Sequence, residues 1–379
     1  SDDRTVKIWD AENGSLIFDF KDLLANVLNA SFSNDGKKII TLSQLVEGAN
    51  VWDAHTFSLL FELKGHTKHM SLAGYSPNGN QIMSFNGRIP KIWNFKNGQI
   101  LTTLDQSSIN TYDRDLNIFN KYHFSPDGEK IAANYFNGAL KIWDTKEGSL
   151  ITNLKAYNHS EYGNVSFSPD GKKILTTSME QDAKLWDIQN DSLLFIFKGH
   201  GDFIGSCFSP DGTKILNTYY DTAEIWDVKS KTLLLDFKLH SPYVSNASFS
   251  PDSKMILTVG DKLASVWNIE NKQLLFELKT NIISPLCNAS FCPDSKNILI
   301  STSFDTIKLF KITEGKFLAN FNAKTPYGNS FSFSPDGKMV ILTCFNQTAK
   351  IWNVETGKLV KEIKDTVSDI SVAFLSPDG

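Results

Sequence analysis

An all-β chain of repeated four-stranded antiparallel units, set radially so that each covers its neighbours, is the architecture this sequence predicts. Three observations predict it. A tight-turn tetrapeptide recurs nine times, as SNDG at 33, SPNG at 76, SPDG at 125, 168, 209, 334 and 376, SPDS at 250 and CPDS at 292, with spacings of 43, 49, 43, 41, 41, 42, 42 and 42. A second landmark keeps the same beat: Trp9, Trp52, Trp93, Trp143, Trp186, Trp226, Trp267, Phe310 and Trp352. Between the landmarks the apolar residues alternate with period two, the strand signature, in short runs bounded by turn residues.

Each unit resolves into four strands. In residues 164–197 the run NVSFS ends at the SPDG turn, where Pro and Gly supply the fixed and permissive backbone angles of a tight reversal. KKILTTS follows as a second strand, and the polar corner MEQD leads to AKLWDI as a third. After the QND turn, SLLFIF forms a fourth, a run that returns as SLLFEL, QILTTL, TLLLDF, QLLFEL and KLVKEI in other units.

A single meander of this kind cannot bury both of its faces, whereas radial packing lets each sheet cover the next and leaves only short edges. The expected fold is therefore a β-propeller with eight complete blades, the first from about 27 to 63 and the last from about 330 to 363, plus a partial ninth shared by the termini. The repeat occupies residues 1–379 as a single domain. SDDRTVKIWD at the start and SVAFLSPDG at the end both read as cut units, so a longer parent chain is expected. The Trp of each third strand is expected to pack between blades, burying on the order of 150 to 250 Å².

Composition narrows the function classes. Hydrophobic residues make up 41% and aromatics 12%, enough for a core and against disorder. The 38 basic and 42 acidic residues leave a net charge of −4, which gives no general attraction to nucleic acid or an anionic membrane. No apolar run approaches the roughly 20 residues of a membrane-spanning helix, so no membrane insertion is expected. Cys207, Cys287, Cys292 and Cys344 are too few for a disulfide framework and lack a zinc-ligand spacing, so they read as buried apolar thiols and the cytoplasm as the compartment. The sequons at Asn29, Asn164, Asn246 and Asn288 recur at one strand position and read as repeat, not glycosylation.

The period, the SPDG turn, the KIWD tetrapeptides ending at Asp10 and Asp144, and the Gly65-His66 and Gly199-His200 dipeptides resemble the WD40 repeat β-propeller family over the whole chain. The resemblance implies a hydrogen-bonded tetrad of His, Ser or Thr, Asp and Trp in each blade. Here it is ragged. His159, Ser178, Glu180 and Trp186 come nearest, and Ser1, Asp3 and Trp9 fit where visible. His240, Asp261 and Trp267 match three positions; His200, Thr218 and Trp226 match three, with Asp221 displaced. Shape packing is thus expected to hold many blades. The eight Trp residues, with His66, His159, His200 and His240, are read as structural.

No phosphate loop, GxSxG elbow, HExxH or CxxC occurs, so no catalytic residue, cofactor or metal is expected. The resemblance implies a non-catalytic scaffold or adaptor that binds proteins or peptides through its loop face, with no nucleic-acid partner. A sensor or regulatory module of a larger enzyme, a nucleotide-binding switch ATPase or a kinase, is the alternative. From Leu104 to the turn at Ser125 the gap is 21 residues against 12 to 14 elsewhere, an insertion that carries Tyr112, Arg114 and Phe119. With Arg88 and the corner aromatics Phe136, Tyr219 and Phe345 these are the candidate partner-binding residues. The corner aromatics have two readings: an exposed apolar rim, or packing between blades in place of missing tetrads.

Overall fold

The computed structural model describes all residues except 1–4, 21–26, 44–47, 66–71, 86–89, 105–118, 136–137, 157–163, 178–181, 199–202, 240–243, 261–262, 280–285, 303–305, 323–330, 345–346, 366–372 and 378–379. Every regular element among the described residues is a strand. Eight four-stranded antiparallel sheets form, each with its strands in chain order, and they are numbered here as blades 1 to 8: 27–64, 72–103, 119–155, 165–198, 203–238, 244–279, 286–322 and 331–364. A ninth, two-stranded sheet pairs Val6–Trp9 with Leu16–Phe20.

The chain divides into two compact units, residues 1–8 with 16–197 and residues 9–15 with 198–379. In the first, blades 1, 2 and 3 each bury the aliphatic residues of their second and third strands against the Trp of the next. Trp93 of blade 2 lies in a cluster with Ile40, Leu42, Val51 and Leu63 of blade 1. Trp186 of blade 4 does the same with Ala132, Leu140 and Ile142 of blade 3. In the second unit Trp267 packs on Leu216, Ala223 and Ile225, and Phe310 takes the Trp place on Leu257, Ala264 and Val266.

One strand departs from expectation. The third and fourth strands of the partial ninth blade form, but residues 373–375, which precede the last SPDG turn where a first strand is expected, are not a strand. Ala373 and Leu375 nevertheless pack with Trp9 and Ala11 on the Ile341, Ala349, Ile351 and Ile363 cluster of blade 8. Those are the sequence places of Ala247 and Phe249 in blade 6, so the side chains keep the packing role that the backbone pairing does not.

The first turn of each blade is a closed hydrogen-bond unit. In blade 1 the Ser33 hydroxyl donates to Asp35 Oδ1 at 2.6 Å and accepts from the Lys38 backbone N–H at 2.9 Å, while Asp35 Oδ1 accepts from the Lys37 N–H at 3.1 Å. The turn Gly takes φ near +70°, as at Gly128, where a Cβ would stand 2.6 Å from the Asn78 side chain of the neighbouring blade. Two blades carry Ser there instead. Ser253 and Ser295 sit at φ of 62° and 57°, a left-handed conformation that disfavours a side chain. Their hydroxyls offset it by accepting from the backbone N–H of Asp211 at 3.0 Å and Asp252 at 3.1 Å, turn to turn between blades.

The Asp that ends the third strand caps the second turn. Asp53 Oδ1 accepts from the His55 and Thr56 N–H groups at 2.9 and 2.7 Å, and Asp144 and Asp187 repeat the arrangement. Immediately before the Trp the pairing of third and fourth strands shifts register, between Val51 and Trp52 in blade 1 and between Val266 and Trp267 in blade 6, a bulge that re-aims the indole. The fourth strand faces outward, so Leu59, Leu60, Leu274 and Leu275 are exposed at its start.

Candidate functional site

Three blades hold the Trp with a hydroxyl from the second strand. Trp52 Nε1–H donates to Thr41 Oγ1 at 2.9 Å, Trp93 to Ser84 Oγ at 2.6 Å and Trp186 to Thr176 Oγ1 at 3.0 Å. In each, the acceptor stands opposite the residue two before the Trp: Thr41 pairs with Asn50, Ser84 with Lys91, Thr176 with Lys184. This corrects the tetrad expected for blade 4. Ser178, the hydroxyl expected there, lies outside the described residues, and the hydroxyl that holds Trp186 is that of Thr176.

Blade 5 corrects the tetrad again. Thr218 pairs with Ala223, and Trp226 donates to Glu224 Oε2 at 2.9 Å within its own strand. Glu224 is 2% exposed and also accepts from the Tyr219 hydroxyl at 3.3 Å. A buried carboxylate needs such donors to stay in place. Its position carries Lys in blades 2, 3, 4, 7 and 8, a charge reversal visible in the aligned repeats that marks this blade as different.

The corner aromatics divide where they are described. Tyr219 is 1% exposed, which places it in the packed alternative, while its neighbour Tyr220 is 37% exposed. The Tyr220 and Asp221 carbonyls accept from the Val244 and Leu239 N–H groups at 3.0 and 2.7 Å, tying this corner to the start of blade 6. Phe119 opens the first strand of blade 3, paired with Tyr135. Arg88, Tyr112, Arg114, Phe136 and Phe345 lie outside the described residues, as do His66, His159, His200 and His240.

The thiols conform in part to the expectation of buried cysteines. Cys292 is fully buried, and burial pushes its thiol up, away from the reactive thiolate. Cys207 is half-buried with its thiol pushed up to about 11 by burial. Neither suits nucleophilic work. Among the described residues no group of three or more His, Cys, Asp or Glu is arranged to hold a metal. Among the described residues no helix is long and apolar enough to cross a membrane, which says nothing of a β-barrel.

Eight four-stranded antiparallel meanders, stapled to their neighbours within each unit by an aromatic at the end of the third strand, define a β-propeller. The repeat type follows from comparison with known proteins. Residues 231–268 and 317–353 match the model of the WD domain, G-beta repeat, and with the fold this establishes the chain as a WD40-repeat propeller. Residues 54–207 match the model described as eukaryotic translation initiation factor eIF2A. The fold is similar to the crystal structure of the computationally designed Ika8 protein, at a TM-score of 0.63 and 19% identity over 87% of this chain and 96% of that one. It is also similar to the C-terminal WD40 domain of Sif2, at 0.62 and 14% over 84% and 93%. No curated protein sequence matches the chain. WD40 propellers are in general non-catalytic platforms for protein interaction.

Proposed function

We propose that this chain is a non-catalytic scaffold that presents the loops joining fourth to first and second to third strands to protein or peptide partners. The observation that carries the reading is that the repeated polar residues are already engaged. In the first turns, Asp127, Asp170, Asp211, Asp252 and Asp336 each accept from the Ser hydroxyl of their own turn. In the second turns, Asp144 and Asp227 cap backbone N–H groups. Recognition therefore falls to the residues that vary from blade to blade, among them Tyr112, Arg114 and Phe119 of the insertion. Cytoplasmic residence fits this role.

The eIF2A match favours a second, narrower reading, a part in translation initiation, because it spans 54–207 and so includes the insertion. One experiment tests both. Affinity capture with the chain is compared with a form lacking residues 107–117 and with Tyr112→Ala/Arg114→Ala, folding being checked by circular dichroism. Loss of captured partners from folded variants is expected, and recovery of translation-initiation components among those lost supports the narrower reading. An unchanged set of partners overturns the role of the insertion.

A further inference from the structure

Between neighbouring blades, on the face that carries the first and second turns, a small space opens beside the start of the second strand. At three boundaries side chains fill it. At the boundary of blades 1 and 2 the Lys38 ammonium lies 4.0 Å from the centre of the Phe95 ring and 5.4 Å from that of Phe61, and donates to the Phe95 carbonyl at 2.6 Å. At the next boundary Gln81 Nε2–H reaches the Thr145 carbonyl at 3.3 Å. Between blades 6 and 7, Phe276 and Phe310 close the space with ring centres 5.3 Å apart.

The boundary of blades 5 and 6 is different. Leu235 and Ile269 stand where blades 1 and 2 have Phe61 and Phe95, and both side chains are smaller than a phenyl ring. Lys214, the counterpart of Lys38, turns back within its own blade, donating to Thr213 Oγ1 at 3.0 Å and pairing with Asp211 at 3.7 Å. What results is a groove of about 450 Å³, within the range of ordinary ligand sites, with an aliphatic floor of Leu234, Leu235 and Ile269. Lys254 and Lys272 stand exposed on its rim, opposed by Glu270, and among the described residues neither lysine is held in an ion pair.

We propose that this groove binds a short acidic segment of a partner protein, with an aliphatic side chain seated on Leu234, Leu235 and Ile269 and flanking carboxylates paired with Lys254 and Lys272. Charge selects the occupant: two uncommitted ammonium groups border an apolar floor, the complement of an aliphatic residue between acids. Nucleic acid fits less well, since no aromatic ring lines the groove to stack a base. The groove lies on the opposite face from the loops of the proposed scaffold surface, so it stands or falls independently of that reading.

Fluorescence anisotropy tests it with a labelled hexapeptide in which two leucines are flanked on each side by two aspartates, titrated with the full chain. Lys254→Glu/Lys272→Glu is expected to weaken binding by roughly tenfold or more, as is ionic strength of about 1 M. Leu235→Phe, which refills the groove as Phe61 does, is expected to weaken it about fivefold with the charges intact. Lys229→Glu/Lys231→Glu, on the second turn of blade 5, leaves it unchanged. No saturable binding overturns the proposal. So does binding indifferent to Leu235→Phe and to replacement of the leucines by serine, or tighter binding of a single-stranded oligonucleotide, because each removes the apolar seat from recognition. Should Leu235→Phe fail to fold, the charge-reversal variant and the serine peptide still decide.

Discussion

Blades 2 and 8 solve one packing problem with different chemistry. In blade 2, Trp93 is 1% exposed, packs on the blade 1 core and donates to the buried Ser84 hydroxyl. In blade 8 the equivalent of Ser84 is Leu342, paired with Lys350 two residues before Trp352. The Trp352 ring packs near Phe321, with centres 4.8 Å apart, and its indole N–H is buried without a hydrogen-bond partner. Blade 7 takes a third course, with Ile300 at the acceptor position and Phe310 for Trp, so that donor and acceptor are both gone. Energetically these differ: deleting both partners is nearly neutral, whereas deleting the acceptor alone leaves a buried donor unsatisfied. A propeller tolerates ragged braces because interblade shape is the larger contribution and the hydrogen bond the smaller.

That ranking is open to direct attack. Trp93→Ala removes the whole contact with Ile40, Leu42 and Val51, and is expected to cost about 3 to 5 kcal/mol in urea or thermal unfolding. Ser84→Ala removes only the acceptor and leaves the Trp93 N–H buried, for an expected loss of about 1 to 3 kcal/mol. Were the second loss to equal the first, the polar brace and not the packing would hold the blade. The double variant Ser84→Ala/Trp93→Phe, which imitates blade 7, is expected to recover part of the Ser84→Ala loss.

Blade 8 offers the reverse test. Leu342→Thr places a hydroxyl where Thr41 and Thr176 stand in their blades, within reach of an indole that lacks an acceptor. A gain of about 0.5 to 1.5 kcal/mol from the new hydrogen bond is set against the lost burial of a fully buried Leu. The net change in melting temperature is therefore expected to be a modest drop, no larger than that for Ser84→Ala. A large gain would show that the orphaned N–H had been limiting stability.

The repeat made most of the fold legible because the first turn and the Trp fall at one spacing, and two landmarks per unit fix where four short strands begin and end. The strand-to-turn Asp residues were equally readable, since Asp10, Asp53 and Asp144 cap backbone groups wherever they recur. What the pattern hid was register. Alternation in the sequence gives Thr176 and Ser178 equal claim, and it is the pairing of Ile174 with Trp186 that brings the Thr176 hydroxyl to the indole. Glu224 was hidden for another reason: a charged residue on a strand reads as solvent-facing, and its burial depends on Tyr219 and Trp226 turning their donors to it. The groove at Leu235 and Ile269 was hidden too, because its lining comes from two repeats that meet only in the fold.

The smallest expected effect concerns the first turns, where blade 7 again departs from blade 1. Asp35 is held below the usual carboxylate value of 3.8, first by the Ser33 hydroxyl and further by the Lys37 N–H and ammonium, against a smaller opposing effect of burial. A depressed folded value means that its contribution is fully present above 3.8 and is lost as pH falls through the lower folded value. Blade 7 has Cys292 in place of that Ser, and there Asp294 instead accepts from the Asn297 side chain at 2.8 Å. Ser33→Cys in blade 1, which has Lys38 and not Asn at the corresponding position, removes the donor without supplying the substitute. The Asp35 titration, followed by NMR, is expected to move up toward 3.8, and the acid-induced loss of stability attributable to this turn to shrink. If it does not move, the backbone N–H groups alone hold the carboxylate, and the hydroxyl of the repeated Ser serves only to accept from the Lys38 N–H.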